Sequence, residues 1–185
     1  LPETVELLLS PLTGAAVDET AYSVLFKSRL PRLLLALAVG AGLSVAGGAF
    51  QSLFSNPLAT PDTLGVATGA SFGAVLALLF TRSQLVVQLL AMAMGLAALL
   101  LTCLISRRGG RSSMVMVVLS GMVISSFFSA LVSLAKYVAD PEEDLPAITY
   151  WLMGSMNRAT LPGIAIGVPL IAAGTAIILC LRWRL

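Results

Sequence analysis

The feature that most limits this chain is the length of its uncharged segments. Leu33 to Phe54, Thr63 to Thr81, Ser83 to Ser106, Ser112 to Ala135 and Ala159 to Leu181 contain no Asp, Glu, Lys or Arg. A bilayer core about 30 Å thick is crossed by about 20 apolar residues in helix, and each segment meets that length. Lipid offers no partner for bare backbone amides, so the segments must be helices or strands of a closed barrel. The alternating apolar and polar pattern of a barrel is absent. The chain is 58% hydrophobic and 11% charged, against roughly a quarter charged in soluble domains. The expected fold is all-α: a polytopic transmembrane helical bundle of about five spans. They fall at 33–54, 63–81, 83–106, 112–135 and 159–181 of one membrane region covering 1–185.

The joints agree with these boundaries. Asn56, Pro57, Pro61 and Asp62 punctuate the first, where Asp62 is placed to cap the next helix. Arg82 sits in a very short turn, which predicts that the second and third spans are antiparallel neighbours. Arg107, Arg108, Gly109, Gly110 and Arg111 form a basic loop before the fourth span. Asp140-Pro141-Glu142-Glu143-Asp144 is an acidic break with a helix-start signature, Asp as cap and Pro as first residue. Residues 140–157 then read as an external loop carrying a short interfacial or re-entrant helix, since Leu145 to Asn157 is too short to span. Pro162 suits an opening turn, and Pro169 predicts a kink in the last span.

Orientation follows from the Lys and Arg of the loops. Arg107, Arg108, Arg111, Arg182 and Arg184 crowd into short connections on one side. Lys27, Arg29, Arg32, Arg82, Lys136 and Arg158 are spread over a longer stretch on the other, beside nearly all the acids. Density makes the first side cytoplasmic, with the external segment 1–32 outside and the C-terminus inside. Leu1 is not a start methionine and residues 1–28 carry no Arg-rich or cleavable leader. An outside N-terminus then predicts a fragment of a longer protein.

Composition also narrows the chemistry. A net charge of +2 gives no reason to expect a nucleic-acid partner. There is no His, and Cys103 and Cys180 each sit within an apolar run, so no metal site is expected. No GxxxxGK followed by Ser or Thr, and no GxGxxG opening a helix, is present. Nor does any span hold paired acids for a proton relay. We therefore expect no enzyme activity in this chain.

Several positions still carry signal. Gly65, Gly69 and Gly73 recur every fourth residue, and Gly40, Ser44 and Gly48 repeat that spacing in the first span. Small residues at this interval let helix backbones approach closely, and static packing explains them as well as sliding during gating does. Arg29 and Arg32 stand three apart beside the stiff Pro31, on the side poor in positive charge. They serve either as interface anchors or as a docking site for carboxylates, which Arg holds bidentately. Asn56 and Leu58 lie in an uncharged turn, while Arg107, Arg108 and Arg111 read as cytoplasmic anchors.

An ordered series of short motifs runs through the chain from residue 22 onward. It comprises Arg29-Leu30-Pro31-Arg32, Val39-Gly40-Ala41-Gly42, Ala46-Gly47-Gly48, Gln51, Asn56-Pro57-Leu58-Ala59, Pro61, Leu64-Gly65-Val66 and Gly69-Ala70. It continues with Ser120-Gly121 and Tyr150-Trp151-Leu152-Met153-Gly154-Ser155. The series resembles the FecCD/BtuC-type permeases, membrane subunits of ABC importers for iron–siderophore complexes, haem and vitamin B12. The resemblance implies a ten-helix permease in the bacterial inner membrane, paired with a second permease as a homodimer. Two ATPase subunits would lie inside, holding the ATP and Mg that this chain does not bind, and a substrate-binding protein outside.

By the same resemblance this chain supplies the second to sixth helices and lacks the helices that grip the ATPase. Arg29 and Arg32 correspond to arginines that receive glutamates of the binding protein. Asn56 and Leu58 match the turn that closes the cytoplasmic end of the pathway, with Ser113 and Met114 near its second part. Met114 departs from the small polar residues usual there. The expected function is a permease subunit importing a metal chelate, ferric siderophore first. Vitamin B12 and haem are the alternatives within the family; a secondary transporter or a structural helical module are the alternatives outside it.

Overall fold

The computed structural model describes residues 19–55, 60–107, 114–156, 159 and 161–182, and every regular element among them is helical. Helix α1 runs from Glu19 to Phe54, so the segment read as external is helical from Glu19 on. Its early turns, Val24–Arg29, are π-helical, and the Leu30 N–H donates to the Leu25 carbonyl. Pro31 gives the physical reason. It has no N–H to donate, and its ring crowds the carbonyl one turn back, a conflict that a widened turn relieves. The helix closes at Ser55, left-handed with φ 48°, whose N–H donates to the carbonyls of Gln51 and Ser52.

The expected second span, 63–81, is built in two pieces. A 3₁₀ turn, Pro61–Leu64, ends at Gly65 with φ +75°, and α2 follows from Val66 to Phe80. Asp62 therefore does not cap this helix. The cap position is Gly65, and the Asp62 carbonyl accepts the Gly65 N–H at 3.1 Å. The left-handed glycine is the reason, since it breaks the helix three residues after Asp62. Fifteen helical residues cover about 22 Å. The 3₁₀ turn adds about 8 Å, so the two pieces together approach the thickness of a bilayer core.

Thr81, Arg82 and Ser83 link α2 to α3, Gln84–Arg107. Helix α4 is Met114–Val138, α5 is Asp144–Met153 and α6 is Leu161–Leu181. Helix α6 continues through Pro169 as one helix with Pro162 in its first turn. By length and composition α1, α3, α4 and α6 are each able to cross a membrane.

The short link forces α2 and α3 together, and their contact is the most extensive between any two helices. Gly69 and Gly73 are buried there; a Cβ on Gly69 would sit 2.6 Å from the Ala98 Cβ and 2.8 Å from the Met94 carbonyl oxygen. Ala74, Ala77, Val87 and Ala91 form one buried cluster between these helices. Ala98, Ile124 and Phe128 join α3 to α4, and Val75, Ala139 and Ile148 join α2, the end of α4 and α5. Small residues dominate the α2–α3 seam, because close approach, rather than exclusion of water, holds helices together in lipid. Helix α1 packs mainly on α6, where Ile171 occupies the space that a side chain at Gly42 would need. The most apolar stretches of α1 and α6 contain no buried residue.

Candidate functional site

At the start of α1 the π-helical turn delivers Arg29, exposed, and the following α-helical turn carries Arg32, half-buried. Residues three apart are neighbours on a helix surface, so both cations lie on adjoining positions. Pro31 between them is fully buried, and Tyr22 and Phe26 stack one turn earlier with ring centroids 4.5 Å apart. The result is a basic stretch in the early turns of α1 whose exposed member can engage a carboxylate.

At the opposite end of α1, Asn56 and Leu58 lie outside the described residues, as does Ser113. Met114 opens α4. What is described is the seat of the turn beside them. The Thr63 Oγ1 and N–H both reach the Thr60 carbonyl, at 2.6 and 3.1 Å. The buried Thr102 hydroxyl of α3 donates to the Leu64 carbonyl at 3.0 Å. Gly121 of α4 lies so close that a Cβ there would collide with the Thr63 carbonyl oxygen. Its own Thr63–Thr60 bonds and the contacts from α3 and α4 thus fix the 3₁₀ turn at the edge of the 56–59 segment. Sequence reasoning misses Thr102, for which a lone hydroxyl among Leu and Ala is the available signal. It finds Gly121 as a family motif without its reason, which is backbone contact.

The glycines of the two small-residue stripes have different surroundings. Gly69 and Gly73 meet α3, while Gly65 serves as the left-handed joint and faces Ile124 and Ser125 of α4. Among the described residues, no atom comes within 4 Å of the place a Cβ would take on Gly40 or Gly48. Between them the Ser44 hydroxyl turns back to the Gly40 carbonyl at 2.8 Å.

The α2–α3 link faces the acidic segment. Arg82 Nη2 donates to Asp144 Oδ1 at 2.9 Å and stands 3.5 Å from Glu143 Oε2. Asp140 Oδ1 accepts the N–H groups of Glu142 and Glu143 at 2.8 and 3.0 Å. These bonds, that from Glu143 first, hold its carboxyl below the ordinary value of 3.8. The helix start expected at Asp140 and Pro141 lies later: α5 begins at Asp144 with Glu143 at its cap position and no side-chain cap bond, and Asp140 closes the turn before it. The ion pair has no counterpart in the sequence reading, because 62 positions separate Arg82 from Asp144. Among the described residues no three His, Cys, Asp or Glu side chains group as metal ligands, and Cys103 and Cys180 are free thiols. The groups present can dock, cap and pack.

Comparison with known proteins agrees with this arrangement. The FecCD transport family pattern matches residues 3–185. The chain is 38% identical over 185 residues to the molybdate import system permease protein MolB of Haemophilus influenzae, covering all of this chain and 55% of that protein. It is 38% identical over 161 residues to the Fe(3+) dicitrate transport system permease protein FecD of Escherichia coli, with 86% of this chain and 49% of the relative covered. The cobalamin import system permease protein BtuC of Halobacterium salinarum is 31% identical, with 88% and 44% covered. A solved structure of a metal-chelate type ABC transporter in an inward-facing conformation superimposes with a TM-score of 0.81 at 35% identity, covering 99% of this chain and 61% of that one. The chain spans about half the length of the curated relatives it matches. A family match over nearly the whole sequence, on an all-helical membrane fold, makes this chain a member of the FecCD transport family.

Proposed function

We propose that the chain forms part of the permease subunit of an ABC importer that carries a metal chelate, ferric siderophore first, across the cell membrane. The observation that carries this reading is the family match over residues 3–185, supported by the 0.81 TM-score to a metal-chelate type ABC transporter. In the assembled importer two permease subunits pair, two ATPase subunits bind and hydrolyse ATP inside, and a binding protein delivers cargo outside. ATP then biases a two-state helix bundle between outward-facing and inward-facing packings, as any ligand does that binds the two states unequally. The start of α1 faces outward and the end of α6 inward. Arg29 and Arg32 receive carboxylates of the binding protein. Asn56, Leu58, Ser113 and Met114 border the inner closure, with the turn seated on Thr102 and Gly121 next to it.

A second cargo reading has a specific observation behind it. The 38% identity to MolB extends over the whole chain, which favours molybdate as the rival to iron chelate; cobalamin follows through BtuC. The test is uptake by cells lacking the complete permease gene, offered labelled ferric siderophore, molybdate and cobalamin separately. Loss of iron uptake alone, restored by the gene, is the expected result. Loss of molybdate or cobalamin uptake alone keeps the mechanism and replaces the cargo, and uptake driven by an ion gradient without ATP defeats the importer reading.

A further inference from the structure

The Pro61–Leu64 turn stands where the sequence by itself favours one continuous helix. Thr60 has the extended backbone of a cap residue, φ −131° and ψ 154°, with Pro61 at the first position and Asp62 in the first turn. From Thr63 to Phe80 there is neither proline nor charge. Yet the chain turns left-handed at Gly65, and α2 starts again at Val66 without a side-chain cap. In a continuous helix the Leu64 carbonyl would accept the Thr68 N–H. The restart opens instead with the Gly69 N–H on the Gly65 carbonyl, at 3.0 Å, and the buried Thr102 hydroxyl takes over the Leu64 carbonyl. Other hydroxyls of this chain behave differently. Ser44, Ser120, Ser126, Ser133 and Thr149 each donate to the carbonyl four residues back in their own helix. The Ala98 carbonyl offers Thr102 the same local acceptor, so release from Leu64 leaves its hydroxyl paired.

We propose that Gly65 is a two-position joint and that Thr102 is the latch that holds it broken. In the broken form the Leu64 carbonyl belongs to Thr102, and the Thr63 carbonyl lies against Gly121. In the joined form Gly65 turns right-handed, the Thr63 and Leu64 carbonyls accept the Ala67 and Thr68 N–H groups, and Pro61 to Phe80 becomes one helix. The Leu64 carbonyl has a donor in either form, which lets the two packings lie close in free energy. Burial of Gly69 and Gly73 against α3 confines the change to the residues before Val66. Only glycine suits the broken form. A left-handed backbone costs it little, and a Cβ there would stand 3.2 Å from both Ile124 Cγ2 and Ser125 Oγ. That the two forms belong to two stages of a transport cycle rests on the importer reading; the joint and its latch do not.

The test is solid-state NMR of the assembled importer in lipid bilayers, without cargo, with Leu64 and Gly65 isotope-labelled to read the sign of φ at position 65. The unaltered protein should give mainly the positive-φ signal. Thr102→Val removes the hydroxyl at nearly the same size and should raise the negative-φ signal about five-fold relative to the positive one. Thr102→Ser restores a hydroxyl and should stay within about two-fold of the unaltered protein. Gly65→Ala should show negative φ alone, because a left-handed backbone is costly once a Cβ is present. Unchanged signals from Ala74 and Ala98 report an intact α2–α3 seam in each variant. A φ distribution in Thr102→Val equal to that of the unaltered protein overturns the proposal. So does a Thr102→Ser that behaves as Thr102→Val, since bulk rather than the hydroxyl would then matter. Where Thr102→Val does not assemble, Gly65→Ala decides alone: a joined helix supports the joint, and a left-handed Ala or a lost fold overturns it. Cargo uptake plays no part in this readout, so a failed uptake assay counts against the importer reading alone.

Discussion

Gly121 shows how much a single backbone atom decides here. Gly121 is buried where α4 crosses the Pro61–Leu64 turn, and the Thr63 carbonyl fills the place of any side chain. Gly121→Ala must push α4 and the turn apart and should destabilise the protein by about 1–3 kcal/mol, read as a lowered thermal midpoint in detergent. Asp140 shows the opposite case, an exposed side chain with a defined electrostatic job. Its carboxylate accepts the Glu143 and Glu142 N–H groups and is held below 3.8. A depressed carboxyl contributes stability that is fully present above its ordinary value and is lost as pH falls through the lowered one. The cap should therefore be constant between about pH 5 and pH 8 and fail only in stronger acid. A carboxyl-carbon NMR titration of Asp140 should give a midpoint below 3.8, and a midpoint at or above it would contradict the geometry.

At the scale of elements, α1 depends on Pro31. Supplying the missing N–H with Pro31→Ala should close the π turn at Val24–Arg29 into α-helix. One residue fewer in the widened turn rotates everything upstream by about 100°. Spin-label distances from Tyr22 to α6, measured with Tyr22→Cys and Ile171→Cys, should shift in the Pro31→Ala background and stay fixed if proline is not the cause. The same helix end carries the docking prediction. Arg29→Glu with Arg32→Glu in the assembled importer should weaken binding-protein affinity about ten-fold or more at low salt, and the remaining binding should lose much of its salt dependence. Unchanged affinity would leave the two arginines as membrane anchors.

For the whole molecule, the central observation is the contrast between buried α2 and the bare faces of α1 and α6. Helix α2 touches α3, α4 and α5, whereas the apolar stretches of α1 and α6 contain no buried residue. Gly40, Ser44 and Gly48 form a shallow notch on α1 with open space above both glycines among the described residues. Curated relatives are about twice as long as this chain, and small-residue notches are where membrane helices approach one another. Ser44→Leu should therefore lower the thermal midpoint of the assembled importer proposed above, by about 1–3 kcal/mol in stability, and leave the 185-residue chain by itself unaffected. An unchanged midpoint in both would assign the notch to lipid.

Much of this was legible in the chain itself. Uncharged segments long enough for a bilayer dictated helices, because lipid leaves the backbone no other partner. The single Arg82 between the second and third segments dictated that α2 and α3 lie side by side. The motif series running from Arg29 to Ser155 pointed to the permease family, since ordered short motifs record backbone contacts and turns that periodicity alone does not. Boundaries were less legible: Thr63 to Thr81 looked like one continuous span, and only the left-handed Gly65 divides it. Three-dimensional structure alone decided which partners distant residues find. Thr102 meets the Leu64 carbonyl and Arg82 meets Asp144 because helix packing brings them together, and a hydrophobicity pattern specifies which face is apolar without specifying what lies against it.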